Sequence, residues 1–191
     1  MSKVIYKITP DVNNYRTIFP DDESLCEPDL WKPNCQSKES TLLNFNAHYN
    51  QETDTPLGDF TAINLLGLAI QDSVANELAQ LLEASGELLP FFVGNDTWYY
   101  YNVTRQEAGI LDIEKSAFMV PGLNIGLQKA VFVQDKLPKR SCIFKIPEDR
   151  FEGTYILDSR LDDKDIMSNL FCAVQAHNFK GLTFEEIARF D

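Results

Sequence analysis

The stretch Phe91-Phe92-Val93-Gly94-Asn95-Asp96-Thr97-Trp98-Tyr99-Tyr100-Tyr101-Asn102-Val103 decides the fold class. Two runs rich in aromatic and β-branched residues, Phe91–Val93 and Trp98–Val103, flank the turn-forming Gly94-Asn95-Asp96, and this pattern predicts a β-hairpin. In a strand, alternate side chains face opposite sides, so two of the four rings Trp98, Tyr99, Tyr100 and Tyr101 point away from whatever the other two cover. Either both faces are covered, or one pair of rings is a binding anchor, since Tyr and Trp combine large area with a polar tip.

Outward from the hairpin, more strands are expected. Val4–Ile8 reads as an opening strand stopped by Pro10. Ala130–Val133 and Cys142–Ile146 flank a loop with Pro138 and predict an antiparallel pair, and Tyr155–Leu157 predicts a short strand. A helix is expected after an Asp72 or Ser73 cap, with Val74, Leu78, Leu81 and Leu82 on one face and Gly86 as C-cap. A second helix fits Asp162 to His177, burying Ile166, Leu170, Phe171 and Val174. Strands clustered between two main helices predict an α+β fold with a mostly antiparallel sheet. Residues 10–56 are rich in turn formers yet hold Phe19, Leu30, Trp31 and Phe45. We therefore expect one domain over 1–191, with an irregular region 1–60 packed on a body formed by 61–191.

Composition bounds the function. The 191 residues hold 17 Lys+Arg against 29 Asp+Glu, a net charge of -12. Binding to nucleic acid through phosphates needs a surplus of cations, and an anionic membrane surface would repel the chain, so neither partner is expected. The charge is regional: residues 1–128 carry -11 of it, which suits a basic partner. The start has no long apolar h-region and no apolar run approaches about 18 residues, so a cytoplasmic location with reduced thiols is expected for Cys26, Cys35, Cys142 and Cys172. A Cys26–Cys35 disulfide would require an oxidising compartment instead.

Catalytic signatures are sparse. His48 and His177 are the only histidines, and neither lies beside a nucleophile motif, a zinc motif or a phosphate loop. His177 falls at an expected helix end, where it complements the dipole. Asp158, Asp162, Asp163 and Asp165 could gather on a hard metal for hydrolysis, but the last three also suit capping of a helix start. Asp21-Asp22-Glu23 is an acidic candidate for partner contact. No cofactor is expected.

Five pieces then occur in order: Gly86-Glu87-Leu88-Leu89-Pro90, Tyr101-Asn102-Val103, Leu111–Phe118, Val131–Pro138 leading to Ile143-Phe144, and Gly181-Leu182-Thr183-Phe184. Together they resemble the myxobacterial-type immunity-protein family of bacterial polymorphic toxin systems, over roughly Leu81 to Phe184. Residues 1–60 match only through the opening strand and Trp31-x-Pro33. The resemblance implies a non-enzymatic cytosolic protein that neutralises a cognate toxin by direct binding. It brings no catalytic residues. On the residues alone, Asp21, Asp22, Glu23, Trp98, Tyr99, Tyr100 and Tyr101 are the expected contact positions. A metal-assisted hydrolase using Asp158–Asp165 and a subunit that self-associates through the aromatic strand are the alternative readings, and the oligomeric state is open.

Overall fold

A computed structural model describes residues 3–50, 54–120, 122–159 and 166–190. The chain runs through β1 (Lys3–Pro10), β2 (Ile18–Pro20), a 3-10 turn at Glu23–Cys26, α1 (Pro28–Trp31), β3 (Asn46–Tyr49), β4 (Phe60–Ile63) and β5 (Gly67–Gln71). It continues through α2 (Asp72–Glu77), α3 (Ala79–Glu83), β6 (Gly86–Val93), β7 (Asp96–Val103), β8 (Ala117–Val120) and β9 (Ile125–Lys129). Last come β10 (Cys142–Phe144), β11 (Thr154–Ser159), a 3-10 turn at Ile166–Ser168, α4 (Leu170–His177) and β12 (Leu182–Phe190).

The expected hairpin forms the spine of a closed barrel ordered β2-β3-β6-β7-β5-β4. β6 and β7 pair antiparallel from Gly86↔Val103 to Val93↔Asp96, farther than the two apolar runs alone suggested. Cross-strand partners Leu89↔Tyr100 and Phe91↔Trp98 place Trp98 and Tyr100 on the inner face, where they pack with Ile63, Ala69 and Val93. Trp31, Leu42 and Phe45 complete this core, and Phe45 stacks on Phe91 at 4.9 Å. The barrel closes through short parallel contacts, Ile18↔Ile63 and Asn46↔Phe92 with Ala47↔Val93.

The second layer is an antiparallel sheet ordered β10-β11-β1-β12, so the first strand lies between two of the last. Val4, Tyr6 and Ile8 join Phe60, Ile70, Tyr101 and Val103 from outside the barrel in a middle core, with Val74, Leu78 and Leu82 of α2–α3 and Leu170 and Val174 of α4. Ile5, Phe144, Tyr155 and Leu157 belong to a third core, capped by Ile110, Leu111, Phe118, Phe132 and Leu137 from the 110–137 segment.

Several expectations change. Instead of two main helices, the described residues contain four short ones. The first expected helix breaks at Leu78, whose ψ of 7° leaves the helical well. Gly86 opens β6 and is no C-cap: a Cβ there would lie 2.4 Å from Asn102 O, so only glycine allows the β6–β7 approach. The second helix starts at Leu170, capped by Asn169 Oδ1, which accepts from Cys172 N at 3.2 Å. Asp162, Asp163 and Asp165 lie outside the described residues. Ala130–Val133 does not pair with β10; it bridges to the 110–112 segment through Leu111↔Phe132, while β10 pairs with β11. Region 1–60 is less irregular than expected, supplying a sheet strand and three barrel strands, the last entering at Phe60.

Candidate functional site

A cleft of about 800 Å³ opens where the barrel meets the four-stranded sheet. That volume falls in the range of small-molecule and partner-anchoring pockets. Its lip is the turn between β4 and β5. Asn64 and Leu65 both adopt the left-handed backbone, with φ of 46° and 66°. Asparagine tolerates that region, whereas a bulky leucine is an outlier there. The turn is held by Asn64 N donating to Ile18 O (2.9 Å) and Leu66 N to Asn64 O (2.8 Å). Asn64 Nδ2 also donates to Cys26 O at 3.2 Å, tying the lip to the acidic segment that follows β2. The strained turn hides nothing: Leu65 is 71% exposed and Leu66 58%, and Val12 across the cleft is 50% exposed.

Deeper in, Tyr100, Tyr101 and Trp31 line the walls, and Lys145 is the buried cation of the lining, only 8% exposed. Lys145 Nζ donates to Phe151 O at 3.2 Å and forms no ion pair among the described residues. Burial pushes its ammonium down to about 8, with Asp149 and the Cys35 thiol acting in the opposite sense and Lys7 reinforcing the fall. Asp149 is itself buried; its Oδ2 accepts from the Tyr155 hydroxyl (2.6 Å) and Gly153 N (3.2 Å), and its Oδ1 has no partner. Burial raises the Asp149 carboxyl above the ordinary aspartate range. It also raises the Cys35 thiol, which therefore stays protonated and unreactive at neutral pH.

The sequence-derived candidates divide sharply. Trp98 is buried inside the barrel, its Nε1 donating to the Tyr49 hydroxyl at 3.2 Å. Tyr101 is buried outside it, its hydroxyl donating to Leu82 O at 3.0 Å. With Tyr100 buried too and Tyr99 half-buried against the middle core, both faces of β7 are covered. The expectation of free aromatic anchors is corrected accordingly: barrel closure takes one face and the second layer the other. The self-association reading, which relied on those rings, loses them as well. Only Tyr100 and Tyr101 reach the cleft, as wall residues.

Asp21, Asp22 and Glu23 are all exposed, but two have structural work. Asp21 Oδ1 lies 2.7 Å from His48 Nδ1. Asp22 caps the 3-10 turn, accepting from Ser24 N (2.9 Å) and Ser24 Oγ (2.7 Å), and these bonds hold its carboxyl below the usual range. Glu23, Glu27 and Asp29 extend the same exposed acidic run, and Lys32 pairs with Asp29. Asp158 is fully buried on β11 and accepts from Asn169 Nδ2 at 2.5 Å, which anchors the entry to α4. It is thus a structural carboxylate in a buried network. Among the described residues, no group of three or more His, Cys, Asp or Glu is arranged to hold a metal ion. All four cysteines are free thiols. His177 ends α4 and lies 2.8 Å from Glu77. No helix among the described residues is long and apolar enough to cross a membrane.

Lys145 and the Leu65–Leu66 lip were not singled out in the sequence. The available signals were a lone cation inside the apolar run Cys142–Ile146 and a turn at Asn64-Leu65-Leu66 without glycine.

No protein-family model matches the chain, and no curated protein matches it.

Proposed function

We propose that this chain is a non-catalytic immunity-type protein that neutralises a cognate bacterial toxin domain by binding it directly, with the cleft lip as the centre of the contact. The observation that carries the reading is the lip itself. Leu65 sits in the left-handed region while projecting into solvent, an arrangement costing about 1–2 kcal/mol with no burial in return. Strain held at an exposed position marks a surface retained for use. Around it stand an apolar centre of Leu65, Leu66 and Val12 and, tied to the turn through the Asn64–Cys26 bond, the segment that carries the exposed acids Glu23 and Glu27. A basic toxin domain presenting an apolar knob complements both parts, and its charge would speed encounter. The resemblance over Leu81 to Phe184 to immunity proteins supports the same reading.

The test is co-expression with a toxin domain found encoded beside this gene, reading cell survival. Wild-type protein should protect. A Leu65→Asp, Leu66→Asp double variant that stays folded by circular dichroism should lose protection, with affinity reduced at least about 100-fold, as expected when two apolar anchors are replaced by desolvated charges. Full protection by the folded double variant would move the interface elsewhere. Failure of the wild type to protect would overturn the reading.

A further inference from the structure

We infer that the cleft beneath the lip is a binding site for a small organic anion, a carboxylate carried on an apolar body, with Lys145 as its charge partner. This does not depend on the toxin reading, since the site can be tested without any partner protein.

Three features converge. The cavity, about 800 Å³, is large enough to enclose such a molecule. Its walls include Ile8, Trp31, Leu68 and Tyr100, which favour an apolar body over a hydrated ion. Lys145 is a nine-tenths-buried ammonium whose only acceptor among the described residues is Phe151 O, leaving two of its three N–H donors without an acceptor among them. A buried charge without a contact ion pair is costly, and an entering carboxylate would relieve that cost while gaining charge-assisted hydrogen bonds.

The charge balance agrees. In a chain of net charge -12, this lining holds four cations, Lys7, Lys32, Lys145 and Arg150, against two acids, Asp11 and Glu152. Both acids have local donors: Asp11 accepts from Asn14, and Glu152 Oε2 accepts from Gly126 N at 3.2 Å. Asp149, the remaining carboxylate acting on Lys145, spends its Oδ2 on Tyr155 and Gly153, and neither of its oxygens forms an ion pair with Lys145. The lowered ammonium adds a signature: with Asp149, Cys35 and Lys7 around it, Lys145 loses its proton near pH 8, so anion affinity should fall above that pH.

Titration calorimetry with octanoate tests the proposal, with octylammonium and inorganic phosphate as comparison probes. Octanoate should bind wild-type protein, at least about tenfold more tightly than either other probe, and about tenfold more weakly at pH 9.5 than at pH 6.5. Lys145→Met should lose at least about tenfold, and Thr154→Trp, which fills the cleft without touching the charge, should lose binding too. Equal binding of octylammonium would reduce the cleft to an apolar trap, and equal binding of phosphate would reduce it to surface charge; either overturns the proposal. So would undiminished octanoate binding in Lys145→Met. Should that variant misfold, the Thr154→Trp and pH arms decide alone.

Discussion

Lys145 shows how one residue can cost stability to keep a chemistry available. Its ammonium is held down to about 8, whereas in an unfolded chain it titrates near 10.5. Between those values the unfolded state binds the extra proton, so stability rises with pH across that window, and the burial penalty is fully present below about pH 8. The gap corresponds to about 3 kcal/mol. Replacing Lys145 by Met removes the titration. The stability difference between the variant and the wild type should therefore move by about 3 kcal/mol in the wild type's favour from pH 7 to pH 10.5, read by urea unfolding. A difference that stays flat across that range would show that the amine is not held in its buried setting.

At the scale of elements, the joint between sheet and barrel depends on Gly181, just before β12. Its φ is +93°, a Cβ there would lie against the Phe60 carbonyl, and Asp11 N donates to the Gly181 carbonyl at 2.9 Å. Phe60 N in turn donates to Lys180 O at 2.9 Å. Gly181→Ala should cost about 3 kcal/mol or more, because backbone has to move as well as adopt the left-handed region. A loss below about 1 kcal/mol in chemical denaturation would mean the joint is pliable. The same joint explains what was legible in the sequence. β1, β11 and the β6–β7 hairpin are long or strongly apolar, and their patterns stand out. β2, β3 and β4 have only three or four residues each, and β4 is buried on both faces, so no alternation reveals it. Trp98 to Tyr101 looked available for the same reason: a strand's own residues do not say that two layers cover it. The acidic run at Asp21–Glu23 was visible as charge, but the link of its segment to the β4–β5 turn depends on the Asn64–Cys26 bond, a contact across 38 positions.

At the scale of the molecule, pairing is uneven around the barrel. β6 and β7 share eight paired positions, while β2 meets β4 through one and β3 meets β6 through two. Hydrogen exchange should therefore open the β2–β3 side first, at a free energy several kcal/mol below that of β6–β7. Uniform protection around the barrel would contradict this. The acidic surface acts at the same scale. Glu23→Lys with Glu27→Lys, chosen because neither side chain makes a capping hydrogen bond among the described residues, should slow association with the proposed toxin-domain partner about tenfold at low salt, and much less at 0.5 M salt, in stopped-flow mixing. Rates that ignore both the variant and the salt would separate the acidity from binding.

The placement of β1 between β11 and β12 also sets a clock. Thr9 and Thr183, which share a hydrogen bond, are separated by 174 positions. At a ribosomal pace of about 5–20 residues per second, the early strand waits roughly 10–35 s before its neighbours exist. During that interval the barrel's outer apolar residues have no second layer to cover them. A cell that relied on this protein for protection would be guarded only by finished copies, so a standing reserve made in advance would serve it where synthesis on demand would come too late.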